Sequence, residues 1–273
     1  MNQEKYNLCM TDDLHSRHMR PRNLIVIGVN YHSYVYAREF VRSWSALPQV
    51  SHILIADSFS SSQERDRIRG LSVHEKTIIV ELDNHGYGSA LNAALRIASK
   101  IDLVEDSLVL LGNVDVMPIS IELDPIQEGQ IPQIDVLEGG RNRNPFLTVF
   151  QKKMLFMYKL AAKRKSPFLL AMAVYLNRFL SLFPGETWAV HGSFIALPGT
   201  LINKFDSTFS PDVFLYCEEL FFAEKVETLG YRFQQYRIAV EHIGSVSTGP
   251  AIKRDKLKLF KNWCDSMNKY SEM

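Results

Sequence analysis

In Leu108-Val-Leu-Leu-Gly-Asn-Val-Asp-Val116 an apolar run follows a charged helix end and breaks at Gly112. Leu108 to Leu111 read as a buried strand, and Asn113 and Asp115 stand just beyond it. Open α/β sheets bind ligands outside the carboxyl ends of their strands, so polar oxygens at such an end suit a site. Asp115 is placed to hold a divalent cation against a phosphate, because hard cations take oxygen ligands and share them with substrate phosphates. The same residues also suit a plain strand-to-loop turn, since Asn and Asp form turns readily. Partners elsewhere in the chain must decide between the two.

Upstream the pattern repeats. Leu24-Ile-Val-Ile-Gly-Val29 is a continuous apolar run rich in β-branched residues, as in a parallel strand buried on both faces. It ends in Asn30-Tyr-His-Ser33, with Ser33 as a helix N-cap, and Tyr36, Phe40, Val41, Trp44 and Leu47 follow at helical spacing. Ile53 to Ala56 is a second strand ending at Asp57, and Thr77 to Val80 is a third. The turn Asn84-His-Gly-Tyr-Gly88 leads into a helix from Ser89 to about Ser99. Strands alternating with helices predict right-handed βαβ units and a mostly parallel α/β sheet. Its strand ends then bring Asn30/Tyr31, Asp57 and Asn113/Asp115 to one edge. Gly86 opens a partial dinucleotide fingerprint, but Leu91 replaces its third glycine; a helix start there still suits an anion.

Downstream the rhythm is lost. Residues 149–165 read as a helix with a basic face and 168–183 as a more apolar one. After Trp188-Ala-Val-His-Gly192, Ser193 to Leu197 reads as a strand and Pro198 as the first residue of a short helix. Glu218 and Glu219 open a helix that Gly230 closes. Arg232–Tyr236 and Ile238–His242 read as two short strands. Leu257, Phe260, Cys264 and Met267 stripe a basic C-terminal helix. The expected organisation is a lead-in over 1–22, a domain over 23–250 with a basic helical insertion at 149–184, and an amphipathic helix over 251–273.

With 273 residues, 46% hydrophobic and 22% charged, the chain has the makeup of a folded domain. A net charge of +1 offers no bulk field for nucleic acid. Three scattered cysteines argue against a disulfide framework or zinc site. No apolar leader follows Met1 and the longest apolar run is broken by Asn177 and Arg178, so a cytoplasmic chain is expected. There is no phosphate-binding Lys loop, serine elbow or H-E-x-x-H. Glu218 and Glu219 suit a general base in a semi-apolar cleft, and equally a favourable charge at a helix start. His242 suits a hydrogen-bonded structural residue, and equally a metal ligand beside Asp115.

The order of these motifs resembles the family 2 glycosyltransferases of GT-A fold, and within them the rhamnosyltransferase-like branch. The resemblance spans about residues 23–250. Val29-Asn-Tyr-His-Ser33, Ala56-Asp-Ser-Phe-Ser60, Asn84-His-Gly-Tyr-Gly-Ser-Ala-Leu-Asn92 and Asn113-Val-Asp115 stand at its successive motifs, the last at its D-x-D position. Phe205-Asp206, Phe214-Leu-Tyr-Cys-Glu-Glu219, Gly230-Tyr231, and His242 with Ser247-Thr248 complete the set. The resemblance implies a nucleotide-sugar donor held by Asn30, Tyr31, Asp57, Asn84, Gly86, Asn92 and Asn113. It implies Mg2+ or Mn2+ at Asp115 and His242. Glu219 would deprotonate the acceptor hydroxyl, with Glu218 as the second candidate, and the anomeric carbon would invert. Trp188, His191 and Gly192 would lie on the acceptor side. The acceptor would be a glycan or lipid-linked glycan of surface polysaccharide synthesis. Three positions depart from the family pattern: Asn113 replaces an acid, Glu219 replaces Asp, and Phe221-Phe-Ala-Glu-Lys225 replaces D-L-x-x-R.

Between Glu138 and Glu186 there is no acidic residue but nine Lys and Arg. These helices have three readings: an acceptor-side lid or subunit contact, a peripheral membrane patch at the inner face of the cell membrane, or a solvated basic face. Two other classes remain open, a sugar-nucleotide nucleotidyltransferase and a non-catalytic glycan-binding or assembly protein.

Overall fold

A computed structural model of the chain describes residues 18–58, 60–244 and 256–272. The apolar runs form strands β1 (Asn23–Asn30), β2 (Val50–Ser58), β3 (Thr77–Leu82) and β4 (Ser107–Asn113). Helices α1 (Tyr34–Ser45), α2 (Ser62–Arg69) and α3 (Tyr87–Ala98) lie between them. Strand β7 (Phe194–Pro198) completes a five-stranded sheet in the order β7-β4-β1-β2-β3, parallel except for β7. Every residue of β1 from Leu24 to Asn30 is buried, as the continuous run predicts for a strand covered on both faces. One core packs α1 and the aromatic group Phe40, Trp44 and Phe194 on one side; the other packs α3 with Phe205, Phe209 and Phe222.

Two local features hold β4 in place. A Cβ at Gly112 would lie 2.0 Å from the Ser193 carbonyl oxygen, so only glycine lets β7 approach β4 this closely. Trp44 stacks on Phe194 and donates its indole N–H to the Val116 carbonyl at 3.1 Å. The chain is therefore pinned on both sides of Asp115.

Val116 begins a second sheet that the sequence reading missed. Strands β5 (Val116–Ile121), β6 (Gln130–Glu138) and β8 (Arg232–His242) pair in the order β5-β8-β6, with Arg141–Asn142 on the outer edge. Pro118 and Pro132 lie inside two of these strands, where proline normally argues against a strand. The two short strands expected over 232–242 are one strand with register irregularities near Ala239.

The second half is otherwise helical. The helix expected over 149–165 is broken: a short turn Val149–Lys152 precedes α4 (Leu155–Lys163). Helix α5 (Pro167–Leu180) starts at Pro167 behind the Ser166 cap. Helix α6 (Glu218–Thr228) ends before Gly230, and α7 (Lys256–Ser271) closes the described chain. Cys264, Met267 and Tyr270 of α7 are buried with Leu155, Ala162, Cys217 and Phe221, whereas Leu257 is exposed. The expected stripe therefore packs from its second turn onward.

Smaller expectations also shift. Ser33 does not cap α1, because its hydroxyl donates to the Tyr31 carbonyl; Glu64 accepts from Tyr34 N–H at 2.8 Å instead. Pro198 ends β7, and the short helix expected from it begins one residue later, at Gly199. Within the expected lead-in, His18–Met19 pairs with Ile126–Gln127. Ser247 and Thr248 lie outside the described residues.

Candidate active site

The parallel register sets the strand ends side by side. Asn30 pairs with Asp57, and Val29 with Asn113. Asn30 donates to the Asp57 carboxylate at 2.8 Å, and Ser60 donates to the same oxygen at 2.5 Å. Asn30 and Asp57 are wholly buried, and Asn30 Oδ1 and Asp57 Oδ2 have no partner among the described residues. In front of them is a cavity of about 210 Å³ lined by Tyr31, Ser58, Asn84, Gly86 and Asn113, with Lys258 and Asn262 of α7 on its far side.

A larger cavity of about 500 Å³ adjoins it and shares Tyr87, Asn113, Leu215 and Leu259. Register builds one of its walls. His242 is the last residue of β8 and pairs with Val116, which sets its ring beside Asp115 with Nε2 3.5 Å from Oδ1. Both carboxylate oxygens of Asp115 and both ring nitrogens of His242 are buried without a hydrogen-bond partner among the described residues. Buried polar groups are normally satisfied, so two adjacent orphans imply a ligand that supplies the missing contacts. One carboxylate and one imidazole suit a Mg2+ or Mn2+ ion that keeps its remaining positions for phosphate and water. Among the described residues no three His, Cys, Asp or Glu side chains gather into a closed metal cluster. An ion here would depend on its substrate for coordination.

Helix α6 builds another wall. Tyr216 and Cys217 both take left-handed backbone conformations, with φ of 76° and 71°. Such strain in non-glycine residues costs about 1–3 kcal/mol each and is concentrated at functional sites. It turns the chain so that Glu218 and Glu219 face the cavity at the helix start. Glu218 is buried, with Oε1 unpartnered among the described residues; burial, then the neighbouring Glu219, pushes its carboxyl up to about 8. Glu219 is half-buried, and burial raises its carboxyl too. A Cβ on Gly192 would stand 3.0 Å from Glu219 Oε2, so the bare backbone leaves room for that carboxylate.

Tyr87, the first residue of α3, joins the two walls. Its hydroxyl donates to the Gly192 carbonyl at 3.3 Å. Burial raises its phenol well above the ordinary value, and Glu218, Asp115 and Glu219 add to the rise. The sequence reading missed Tyr87 because it sits inside the glycine turn as a spacer. It began the helix two residues later, at Ser89.

The remaining predicted residues divide. His191 lines the larger cavity with its ring 5.9 Å from that of His242; burial and that neighbour lower it to about 4, so it is neutral at pH 7. Trp188 does not face this cavity: it lines a separate one of about 790 Å³, where its indole donates to Glu227 at 3.0 Å and Lys152 covers its ring. Asn92 lies in the second turn of α3, where its amide donates to the Phe209 carbonyl at 2.7 Å and accepts from Phe209 N–H. The structure gives Asn92 the task of strapping a loop 117 residues away. Gly86, at φ +95°, could not carry a Cβ, which would fall 2.6 Å from the Phe214 carbonyl oxygen. That carbonyl accepts from Tyr87 N–H at 3.0 Å, so part of the helix start expected to meet an anion is already occupied.

No protein-family model matches the sequence, and no curated protein does. Among solved structures, the chain is similar to TarS of S. aureus at 13% identity and a TM-score of 0.51, over 87% of this chain and 39% of that one. The fold is GT-A. A mannosyltransferase of Pyrobaculum calidifontis, solved with GDP-Man and Mn2+, is 16% identical over 81% of this chain and 56% of its own, at a TM-score of 0.49. Glucosyl-3-phosphoglycerate synthase of Mycobacterium tuberculosis, with Mn2+ and UDP, is 17% identical over 88% and 76%, at 0.47. In the GT-A frame Asp115 follows the fourth parallel strand, and Glu219 of the later helix lines the same cavity as His242.

Proposed function

We propose that the chain is an inverting, metal-dependent family 2 glycosyltransferase of the rhamnosyltransferase-like branch. It transfers a hexosyl or deoxyhexosyl group from a nucleotide sugar to a hydroxyl of a glycan or lipid-linked glycan. Surface polysaccharide assembly, in the cytoplasm at the inner face of the cell membrane, is the setting proposed for it. One observation carries the reading. His242, whose ring lies beside the orphaned Asp115 carboxylate, lines one cavity together with Glu218 and Glu219. The motif order in the sequence supports it independently.

The donor's base and ribose occupy the smaller cavity, against Tyr31, Asn84 and Asn113. Asp115 and His242 would hold a Mg2+ or Mn2+ ion, which would neutralise charge on the departing diphosphate. Glu219 takes the proton from the acceptor hydroxyl, because it is the more exposed of the two carboxylates and Gly192 leaves room beside it. Glu218 keeps its own proton near neutral pH, since its carboxyl stands near 8. Neutral His191 offers a hydrogen bond to the acceptor without a competing charge.

The test is incubation with a panel of sugar nucleotides, with nucleoside diphosphate release as the readout. Release by the parent and its loss in Glu219→Gln support the reading. Release of pyrophosphate would favour nucleotidyl transfer, and glycan binding without any turnover would favour an assembly protein.

A further inference from the structure

The face that α5 turns outward is built like the buried face of an ordinary helix. Phe168, Met172, Tyr175, Phe179 and Leu182 recur at alternating steps of four and three residues, which puts them on one stripe. Such a stripe normally meets a core. Here Phe168 is 75% exposed, Tyr175 74% and Leu182, just past the helix end, 76%. Only Ala173 of the whole helix is buried. Single exposed apolar residues are ordinary, but a contiguous aromatic stripe marks an interaction surface.

Charge says what covers it. The segment from 139 to 185 holds no acidic residue. Arg178 of α5 and Lys163, Arg164 and Lys165, just before its first residue, are all exposed. A second copy would set these cations against their own counterparts, because a two-fold contact places like surfaces together. An anionic surface with an apolar layer beneath it complements both features at once. No described helix is long and apolar enough to cross a membrane, so the contact would lie along the interface.

We propose that the outer face of α5 docks the protein on an anionic lipid bilayer. The aromatic stripe enters the headgroup–acyl boundary, and the flanking Lys and Arg meet lipid phosphates. The docked face also has a physical link to the cavity. Helix α4 packs against α5 on one side and α7 on the other, and Leu259 of α7 lines both parts of the cleft. Presentation of a lipid-linked acceptor to that cleft rests on the glycosyl-transfer reading; the docking itself does not.

The experiment is vesicle flotation of the full 273-residue chain without donor or acceptor, so its failure is distinct from a failure of glycosyl transfer. Vesicles contain phosphatidylcholine alone or phosphatidylcholine with phosphatidylglycerol. Binding to the anionic vesicles only, weakened by salt, is expected. The combined variant Lys163→Glu, Arg164→Glu, Lys165→Glu should lower affinity about a hundredfold, three cations being lost from the headgroup layer. A second variant, Phe168→Ser with Tyr175→Ser and Phe179→Ser, should also abolish flotation. These side chains are exposed, and an unchanged thermal transition will show that both variants fold. No flotation, equal flotation on neutral vesicles, or unchanged binding by folded variants overturns the proposal. So does a dimer in solution that the serine variant dissociates, since a second copy would then own this face.

Discussion

Replacing Glu218 by Gln should stabilise the protein, and by an amount that grows with pH. The carboxyl of Glu218 loses its proton near its ordinary value of 4.5 in the unfolded chain and near 8 in the folded one. Between those values the unfolded state gives up a proton that the folded state retains. Stability therefore falls as pH rises, with no penalty below pH 4.5 and the full penalty above pH 8. A rise of this size corresponds to roughly 5 kcal/mol at its upper limit. The Gln amide keeps the size and shape of the side chain, while the burial of a charge disappears. Thermal unfolding of parent and variant from pH 4 to 9 is the assay. The curves should nearly coincide at the acid end and separate by roughly 10 °C at the alkaline end. Transfer should survive in this variant, because Glu219 remains as base. A Gln variant that is less stable than the parent at pH 8, or a pH-independent difference, would refute the reasoning. Loss of transfer with stability gained would make Glu218 the base.

Three further outcomes follow from the same geometry. Transfer by the parent should rise with pH until Glu219, held above its ordinary range by burial, has lost its proton; a flat pH–rate profile would remove it as base. Gly86→Ala should destabilise by about 1–3 kcal/mol or more, since its φ of +95° and the Phe214 backbone leave no place for a Cβ; parental stability in urea would contradict this. Asn92→Ala should leave the Phe209 backbone groups unpaired, about 1–3 kcal/mol for each buried group. A variant that keeps its stability but loses nucleotide affinity would return Asn92 to the donor.

The first half of the fold was legible because its strands are buried on both faces. Continuous runs such as Leu24 to Val29 leave few alternatives, and their ends carry the polar residues that the register then aligns. The second sheet was not legible. Pro118 and Pro132 interrupt its strands, and its pairing joins residues more than a hundred positions apart. That sheet is what delivers His242 to Asp115, so the sequence supplied both residues but no reason for their contact. Trp188 failed as a cavity residue for a related reason. It is four residues from Gly192, but it belongs to a strand whose side chains face another cavity. Leu259 was hidden because a helix outside the expected domain boundary folds back over the cleft. For Tyr87, partners that matter come from three distant segments, which no local motif encodes.

The orphaned polar atoms of Asp115 and His242 support the entire functional account, and calorimetry tests them directly. A panel of nucleoside diphosphates is titrated into the protein with Mn2+ and again with chelator, and into Asp115→Ala with Mn2+. The account predicts binding that requires the ion and disappears in the variant. Equal affinity with and without the ion, or undiminished binding by Asp115→Ala, would contradict it.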